Sequence, residues 1–274
     1  MKNSNELEKS RGVVVFAFNT DLVDYVAIAD LTSRLTNKFL KLPVTLITDS
    51  KADPRFNYDN VVRVEYSGSN FRPNRSAGID EWKNFGRYLA YELSPYDETI
   101  LLDGDYLTLD DSLLKLWEHP FDYKLMYDSS TPDGKIANII SNTGLSFVWA
   151  TVVLFRKSTR AKMLFDFVGK IQRNYPYYKT LYNADGPYRN DYAFAIADLV
   201  LNGYTIDKQQ GIPWNMMTIE NSITSIDINN DKLVVREEDR AIVMPWQNLH
   251  IMDKKYLQHS KFIQFVDEVV DDAT

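Results

Sequence analysis

The chain contains no cysteine. That excludes a disulfide framework, a thiolate zinc site and a cysteine nucleophile. Long apolar runs are also missing. The most continuous one, Gly144–Phe155, falls well short of the roughly 20 residues that span a bilayer. The opening residues Met1-Lys2-Asn3-Ser4-Asn5-Glu6 show no apolar signal core, so a cytoplasmic protein without membrane contact is expected. Positive charge is not in excess. Lys and Arg total 31 against 38 Asp and Glu, a net charge of −7, which argues against a protein that coats nucleic acid. Histidine is scarce, with three in the chain, so imidazole chemistry falls to His119, His250 or His259. What is present is ordinary for a globular protein: 45% hydrophobic and 25% charged residues in 274. Disorder, collagen and coiled coil are excluded as overall descriptions, and the length suits one large α/β domain or two small ones.

Residues 1–10 are polar and read as a frayed tail. Gly12–Phe18 is a nearly continuous apolar, β-branched run, the pattern of a strand buried on both faces of a parallel sheet. Asn19-Thr20-Asp21 supplies helix-capping chemistry. Leu22, Val26, Ala29, Leu35 and Phe39 then follow at helical spacing, with a stop expected before Pro43. Val44–Thr48 and Val61–Tyr66 read as second and third strands, and Ser67–Ala77 as a loop. Trp82, Phe85, Leu89 and Leu93 mark a helix ended by Ser94-Pro95, and Thr99–Leu102 is a fourth strand. This alternation is a doubly wound β-α-β pattern. Farther on, Leu113–Glu118, Thr159–Asn174, Asn190–Asn202 and Phe262–Val270 read as helices. Phe147–Phe155, Thr205-Ile206 and Leu233–Val235 read as strands. No internal repeat or low-complexity linker divides residues 11–274, so a single domain is expected.

Chemistry concentrates where the fourth strand ends, at Asp103-Gly104-Asp105. In open α/β sheets ligands bind beyond the carboxyl ends of the strands. Residues i and i+2 of an extended chain project to the same side, and Gly104 between them would let the backbone approach a ligand closely. Paired carboxylates repel unless a cation neutralises them. Mg²⁺ or Mn²⁺ would do so while clamping a diphosphate. The alternative is a solvated turn with two surface acids. Arg87, with Lys83 one turn earlier, presents two cations that could face a diphosphate; alternatively they line a solvated helix face.

The segment Arg87–Asp105, running from a basic residue through an amphipathic half-helix and a Tyr into a strand and Asp-x-Asp, resembles the central signature of GT-A glycosyltransferases. It is most similar to the glycogenin and family-8 group of retaining enzymes. The resemblance implies a GT-A fold, with a mixed, mostly parallel central sheet and flanking helices. It implies a nucleotide-binding half over residues 11–109 and an acceptor- and sugar-binding half over 110–274. It also implies a nucleotide-sugar donor, a UDP-sugar above all, and Mn²⁺. The positions matching base and ribose contacts are Phe18, Asn19, Thr20 and Asp21, with Thr48 and Asp49 after the second strand. Pro245–Lys255 resembles the segment carrying the third metal ligand, which makes His250 that ligand beside Asp103 and Asp105. Imidazole with two carboxylates favours Mn²⁺ over Mg²⁺. Lys254 or Lys255 matches a β-phosphate contact at a shorter spacing. Asp191 matches an acid that contacts the transferred sugar, with Tyr192 where the group has Gln; a helix N-terminal acid is its alternative. Trp149–Val153 departs from the group's Asn-Ser-Gly.

Gly12–Asp21 and the His250 segment also resemble uncharacterised transferase-like proteins of tailed phages. That would place the chain in a host cytoplasm and make a modified DNA base an acceptor, beside a glycan or protein. Arg156, Lys157, Arg160, Lys162, Lys170 and Arg173 could meet such a polymer, or simply form a solvated helix face. Rival readings are a sugar-1-phosphate nucleotidyltransferase, a non-catalytic nucleotide-sugar-binding module and, more weakly, a nuclease. The first would need a Gly-rich, Arg-bearing loop after the first strand, which Asn19-Thr20-Asp21 does not supply.

Overall fold

The computed structural model describes residues 9–65, 70–74, 78–135, 145, 147–205 and 210–271. Its central sheet consists of β1 (Arg11–Phe16), β2 (Val44–Thr48), β3 (Asn60–Arg63), β4 (Glu98–Asp103), β5 (Tyr123–Met126) and β6 (Trp149–Arg156), in the order β3-β2-β1-β4-β6-β5. The first four pair in parallel, and β6 runs antiparallel to both its neighbours. The architecture is therefore the expected mixed, mostly parallel α/β sheet with flanking helices. The apolar runs explain it: every residue of β2 and all but the first of β1 are buried, which only a sheet covered on both faces allows.

The main helices are α1 (Tyr25–Leu40), α2 (Thr159–Arg173), α3 (Asn190–Leu201) and α4 (Ser260–Asp271). Asp24 caps α1 by accepting from the Ala27 N–H at 2.9 Å, and Lys41 closes it in the left-handed conformation two residues before Pro43. Ser158 caps α2 through the Ala161 N–H. α4 lies against α1, where Arg34 pairs with Asp267 at 2.7 Å. No helix among the described residues is long and apolar enough to cross a membrane.

A second sheet sits at the carboxyl end of β4. Tyr106–Leu107, Leu249–Ile251, Met216–Ile219 and Ser129–Ser130 align in that order. An antiparallel meander, Ser225–Asn229, Lys232–Arg236 and Ala241–Pro245, completes the fold. One hydrophobic cluster follows the central sheet with α2 and α3. Another joins the inner side of α1 to the second sheet, the meander and α4.

Several expected elements differ. The third strand ends at Arg63, with Val64 and Glu65 outside it, and Tyr66 lies outside the described residues. The expected loop 67–77 contains part of a hairpin, Phe71–Asn74 with Gly78–Glu81; residues 67–69 and 75–77 lie outside the described residues. The expected helix over 82–93 is a 3₁₀ turn, Asn84–Leu89, with a non-helical Gly86, followed by one α-turn, Ala90–Leu93. The strand expected from Phe147 starts at Trp149. Thr205 is not in a strand and its hydroxyl donates to the Asn202 carbonyl at 2.7 Å; Ile206 is outside the described residues. Ser10, at the end of the expected tail, is tied down: its N–H and Oγ both donate to Asp97.

Gly12 marks a tight contact. A Cβ built on it would lie 2.3 Å from the ring of Tyr96, a buried side chain whose hydroxyl bonds to Thr45 Oγ1 at 2.8 Å. Gly12→Ala should therefore cost about 1–3 kcal/mol through overpacking. Denaturant unfolding checks this, and wild-type stability would contradict the packing described.

Candidate active site

β4 delivers Asp103 as its last residue, and Asp105 is the second residue of the turn that follows. Parallel register sets Phe16 of β1 opposite Asp103, with Ile47 of β2 opposite Phe16. The exits of β1, β2 and β4 therefore lie side by side. Immediately after Asp105, Tyr106 pairs antiparallel with His250, and the Asp105 carbonyl accepts the Ile251 N–H at 3.0 Å. This pairing brings a segment far along the chain onto the acids. His250 Nε2 lies 3.6 Å from Asp105 Oδ2. Its Nδ1 lies 3.3 Å from Thr218 Oγ1, which is itself bonded to Ser129 Oγ at 2.7 Å. The imidazole is buried and meets the Trp149 ring edge-on at 5.8 Å between centroids.

Each carboxylate has its own cation. Arg87, on the 3₁₀ turn and 1% exposed, donates through Nη1 to Asp103, and Asn84 Nδ2 reaches the same oxygen at 3.4 Å. Lys254 opens the short helix Lys254–Leu257, capped by Asp253. Its ammonium donates to Asp105 Oδ2 and to the Ile251 carbonyl. The electrostatics follow. Burial pushes the Asp103 carboxyl up, outweighing Arg87, and the neighbouring Asp105 adds to the rise. Burial also pushes Asp105 up, but Lys254 and His250 override it and hold that carboxyl well below the ordinary carboxylate range.

Asp191, in the first turn of α3, accepts from the Ala150 N–H at 3.1 Å and from Arg189 at 2.9–3.0 Å. It is close enough to raise Asp103 further. Sequence reasoning did not single out Asn190. It is buried, donates to the Asn84 carbonyl at 2.8 Å and accepts from Tyr188 OH at 3.1 Å, so it fastens the Arg87 turn to α3. Asn84, Thr218 and Arg189 were missed as well. Asn84 and Thr218 act through contacts with other segments that no local pattern marks, whereas Arg189 pairs with Asp191 two residues on.

The other expected residues are placed as follows. Lys83 donates to the Asn19 carbonyl at 2.9 Å and lies 3.9 Å from Glu81. Arg87 faces Asp103, and among the described residues nothing partners its buried Nε and Nη2. Asn19 accepts the Val26 N–H, while Thr20 accepts the Leu22 and Val23 N–H groups and donates to Asp80. Asp21 is exposed, and Asp24 takes the cap of α1. Phe18 is buried, and Thr48 is buried with an unpartnered hydroxyl. Asp49 accepts the Lys51 N–H, and its carbonyl accepts Arg63 at 2.8 Å. On the protein side Gly104 is not tightly packed: a Cβ there would meet Ala29 at an ordinary 3.5 Å. The basic cluster is committed internally. Arg156 pairs with Glu98, Lys162 with Glu92 and Asp166, and Arg160 bonds Asn202. Lys157 bonds the Tyr91 carbonyl, and Lys170 and Arg173 lie over Phe167 and Tyr88.

As the side chains stand, no three His, Asp or Glu groups among the described residues converge to hold a metal ion. Arg87 draws Asp103 aside and Lys254 occupies Asp105 Oδ2. The donor set nevertheless suits Mn²⁺, and Asp105 Oδ1 is buried with no hydrogen-bond partner among the described residues, a cost that coordination or hydrogen bonding would relieve.

No protein-family model matches the sequence, and no curated protein matches it. Similar solved structures include the galactosyltransferase LgtC in complex with donor and acceptor sugar analogues. It is 13% identical over 68% of this chain and 69% of that one, at a TM-score of 0.46. An active-site mutant of LgtC matches over 88% and 86%, again at 13% identity, with a TM-score of 0.48. The glycosyltransferase GlyE of Streptococcus pneumoniae TIGR4 is 14% identical over 75% of this chain, with a TM-score of 0.43. The chain spans less than half of GlyE, 46%. At these identities and scores the likeness transfers no residue role, and the functional argument rests on the site.

Asn190→Ala removes two hydrogen bonds and leaves Tyr188 OH unpaired under cover. It should cost about 1–3 kcal/mol, read by denaturant unfolding. An unchanged stability would contradict the fastening role.

Proposed function

We propose that the chain is a metal-dependent glycosyltransferase of the GT-A type, similar to the glycogenin and family-8 group, that transfers a sugar from a nucleotide-diphosphate sugar to an acceptor hydroxyl. The observation that carries this reading is the joining of Asp103 and Asp105, at the carboxyl end of β4, with His250 and two cations at one point. A UDP-sugar donor and retention of configuration are part of the proposal. So is Mn²⁺ (or Mg²⁺) held by Asp103, Asp105 and His250. When bound, the ion would neutralise the diphosphate and stabilise charge on the leaving oxygen.

The chain's own residues supply the rest. The bond between the anomeric carbon and the β-phosphate oxygen breaks, and the acceptor oxygen forms a new bond to that carbon. The acceptor proton ends on the departing phosphate in a same-face displacement. The unpartnered Nε and Nη2 of Arg87 and the ammonium of Lys254 offset the charge that develops, the kind of preorganised stabilisation that dominates such barriers. Asp191, braced by Arg189 and the Ala150 N–H, orients the transferred sugar. Phe18, Asn19, Thr20, Asp21, Thr48 and Asp49 flank the nucleoside. Internal pairing of the basic helix favours a glycan or protein acceptor over DNA. Nucleotidyl transfer is disfavoured, because Asn19 and Thr20 spend their side chains on the N–H groups that lead into α1 and leave no cradle for a triphosphate.

Asp103→Asn and Asp105→Asn should each lower Mn²⁺-dependent turnover of a UDP-sugar by at least about 10²-fold, the loss typical of removing one transition-state stabiliser. Donor hydrolysis measured across a panel of nucleotide sugars tests this. Near-wild-type turnover in either variant, or a requirement for a nucleoside triphosphate, would overturn the proposal.

A further inference from the structure

We propose that Lys254 is the internal counter-ion of the site, holding Asp105 until a divalent cation and a nucleoside diphosphate enter, and that it couples the binding of the two. The inference rests on the metal-and-nucleotide reading above and adds to it a residue that governs how the two ligands depend on each other.

The position of the ammonium carries the argument. Lys254 Nζ sits on Asp105 Oδ2, the same oxygen that faces His250 Nε2 at 3.6 Å. A cation shared by that carboxylate and that imidazole would take the place the ammonium holds. The two cations of the site are not equally free to leave. Arg87 is 1% exposed and rides on a turn that Asn190 fastens to α3. Lys254 is the first residue of a one-turn helix and carries its charge on a flexible four-carbon stem. A second acceptor, the Ile251 carbonyl at 3.2 Å, keeps the ammonium near the site when Asp105 is released.

Charge balance sets the sign of the coupling. Asp103 with Arg87 and Asp105 with Lys254 are two neutral pairs. A divalent ion entering alone adds two positive charges next to a displaced ammonium, under cover where charge is poorly solvated. A sugar diphosphate brings two negative charges, and the freed ammonium is a partner for one of them. Lys254 therefore opposes the metal alone and favours the metal with the diphosphate, a positive and reciprocal coupling between two ligands.

The test uses the full chain with MnCl₂ and UDP. Free Mn²⁺ is followed by electron paramagnetic resonance with and without UDP, after subtraction of the Mn²⁺–UDP complex measured without protein. Wild type should bind Mn²⁺ weakly alone and at least about 5-fold more tightly with UDP, within the usual range of coupling. Lys254→Gln and Lys254→Met, each shown to be folded by its thermal melt, should bind Mn²⁺ alone several-fold more tightly than wild type and lose most of the UDP effect. Lys261→Gln removes the same charge from an exposed lysine that bonds the Thr224 carbonyl instead and should keep the wild-type coupling. Wild-type affinity and coupling in both Lys254 variants, or equal effects from Lys261→Gln, would overturn the inference and leave the metal-and-nucleotide reading standing. Absence of Mn²⁺ binding by wild type with and without UDP would overturn both.

Discussion

Two carboxylates two residues apart repel each other, and partly buried they cannot both stay ionised without cations at hand. Much of the site follows from meeting that demand at Asp103 and Asp105. Arg87 is brought in on a 3₁₀ turn and Lys254 at the start of a short helix. The two acids end differently: Asp103 is driven up by burial, and Asp105 is held down by Lys254 and His250.

The fold meets this demand by placing a second sheet at the mouth of the first. The parallel register of β1, β2 and β4 puts three strand exits together, where an α/β sheet offers its crevice. The two-residue strand Tyr106–Leu107 then captures Leu249–Ile251, and His250 arrives opposite Tyr106. Thr218, in register with His250 on the next strand, contacts the other ring nitrogen, the arrangement that orients an imidazole for a task at Nε2. From the other side Asn190 ties α3, and with it Asp191, to the turn that carries Arg87. The three parts of the chain that meet at the acids are thus each held by a named hydrogen bond or strand pairing.

Where the signal was local, the sequence was readable. β1, β2, β4, α1 and α4 declare themselves through β-branched runs, spacing and the stop before Pro43, and Asp103 and Asp105 through their place at the end of an apolar strand. His250 was visible only by resemblance, because Leu249–Ile251 is three residues long and exists through its pairing with residues more than a hundred positions away. Met216–Ile219 and the hairpin at Phe71–Glu81 were hidden for the same reason: short strands owe their stability to partners rather than to propensity. Arg87 and Lys83 could be recognised as cations near the site. Their partners, Asp103 and the Asn19 carbonyl, could not, since those depend on where the chain turns at Gly86. The bond from Asn190 to the Asn84 carbonyl, across more than a hundred positions, had no local signature.

The central claim is that the carboxyl end of β4 is a metal–diphosphate centre built from Asp103, Asp105 and His250. Anomalous diffraction at the manganese edge, from crystals grown with MnCl₂ and UDP, addresses it most directly. The account predicts an anomalous peak beside Asp103, Asp105 and His250, with the UDP phosphates next to it and Lys254 withdrawn from the Asp105 carboxylate. A fully occupied UDP whose phosphates lie away from Asp103 and Asp105, with no anomalous peak beside His250, would contradict it.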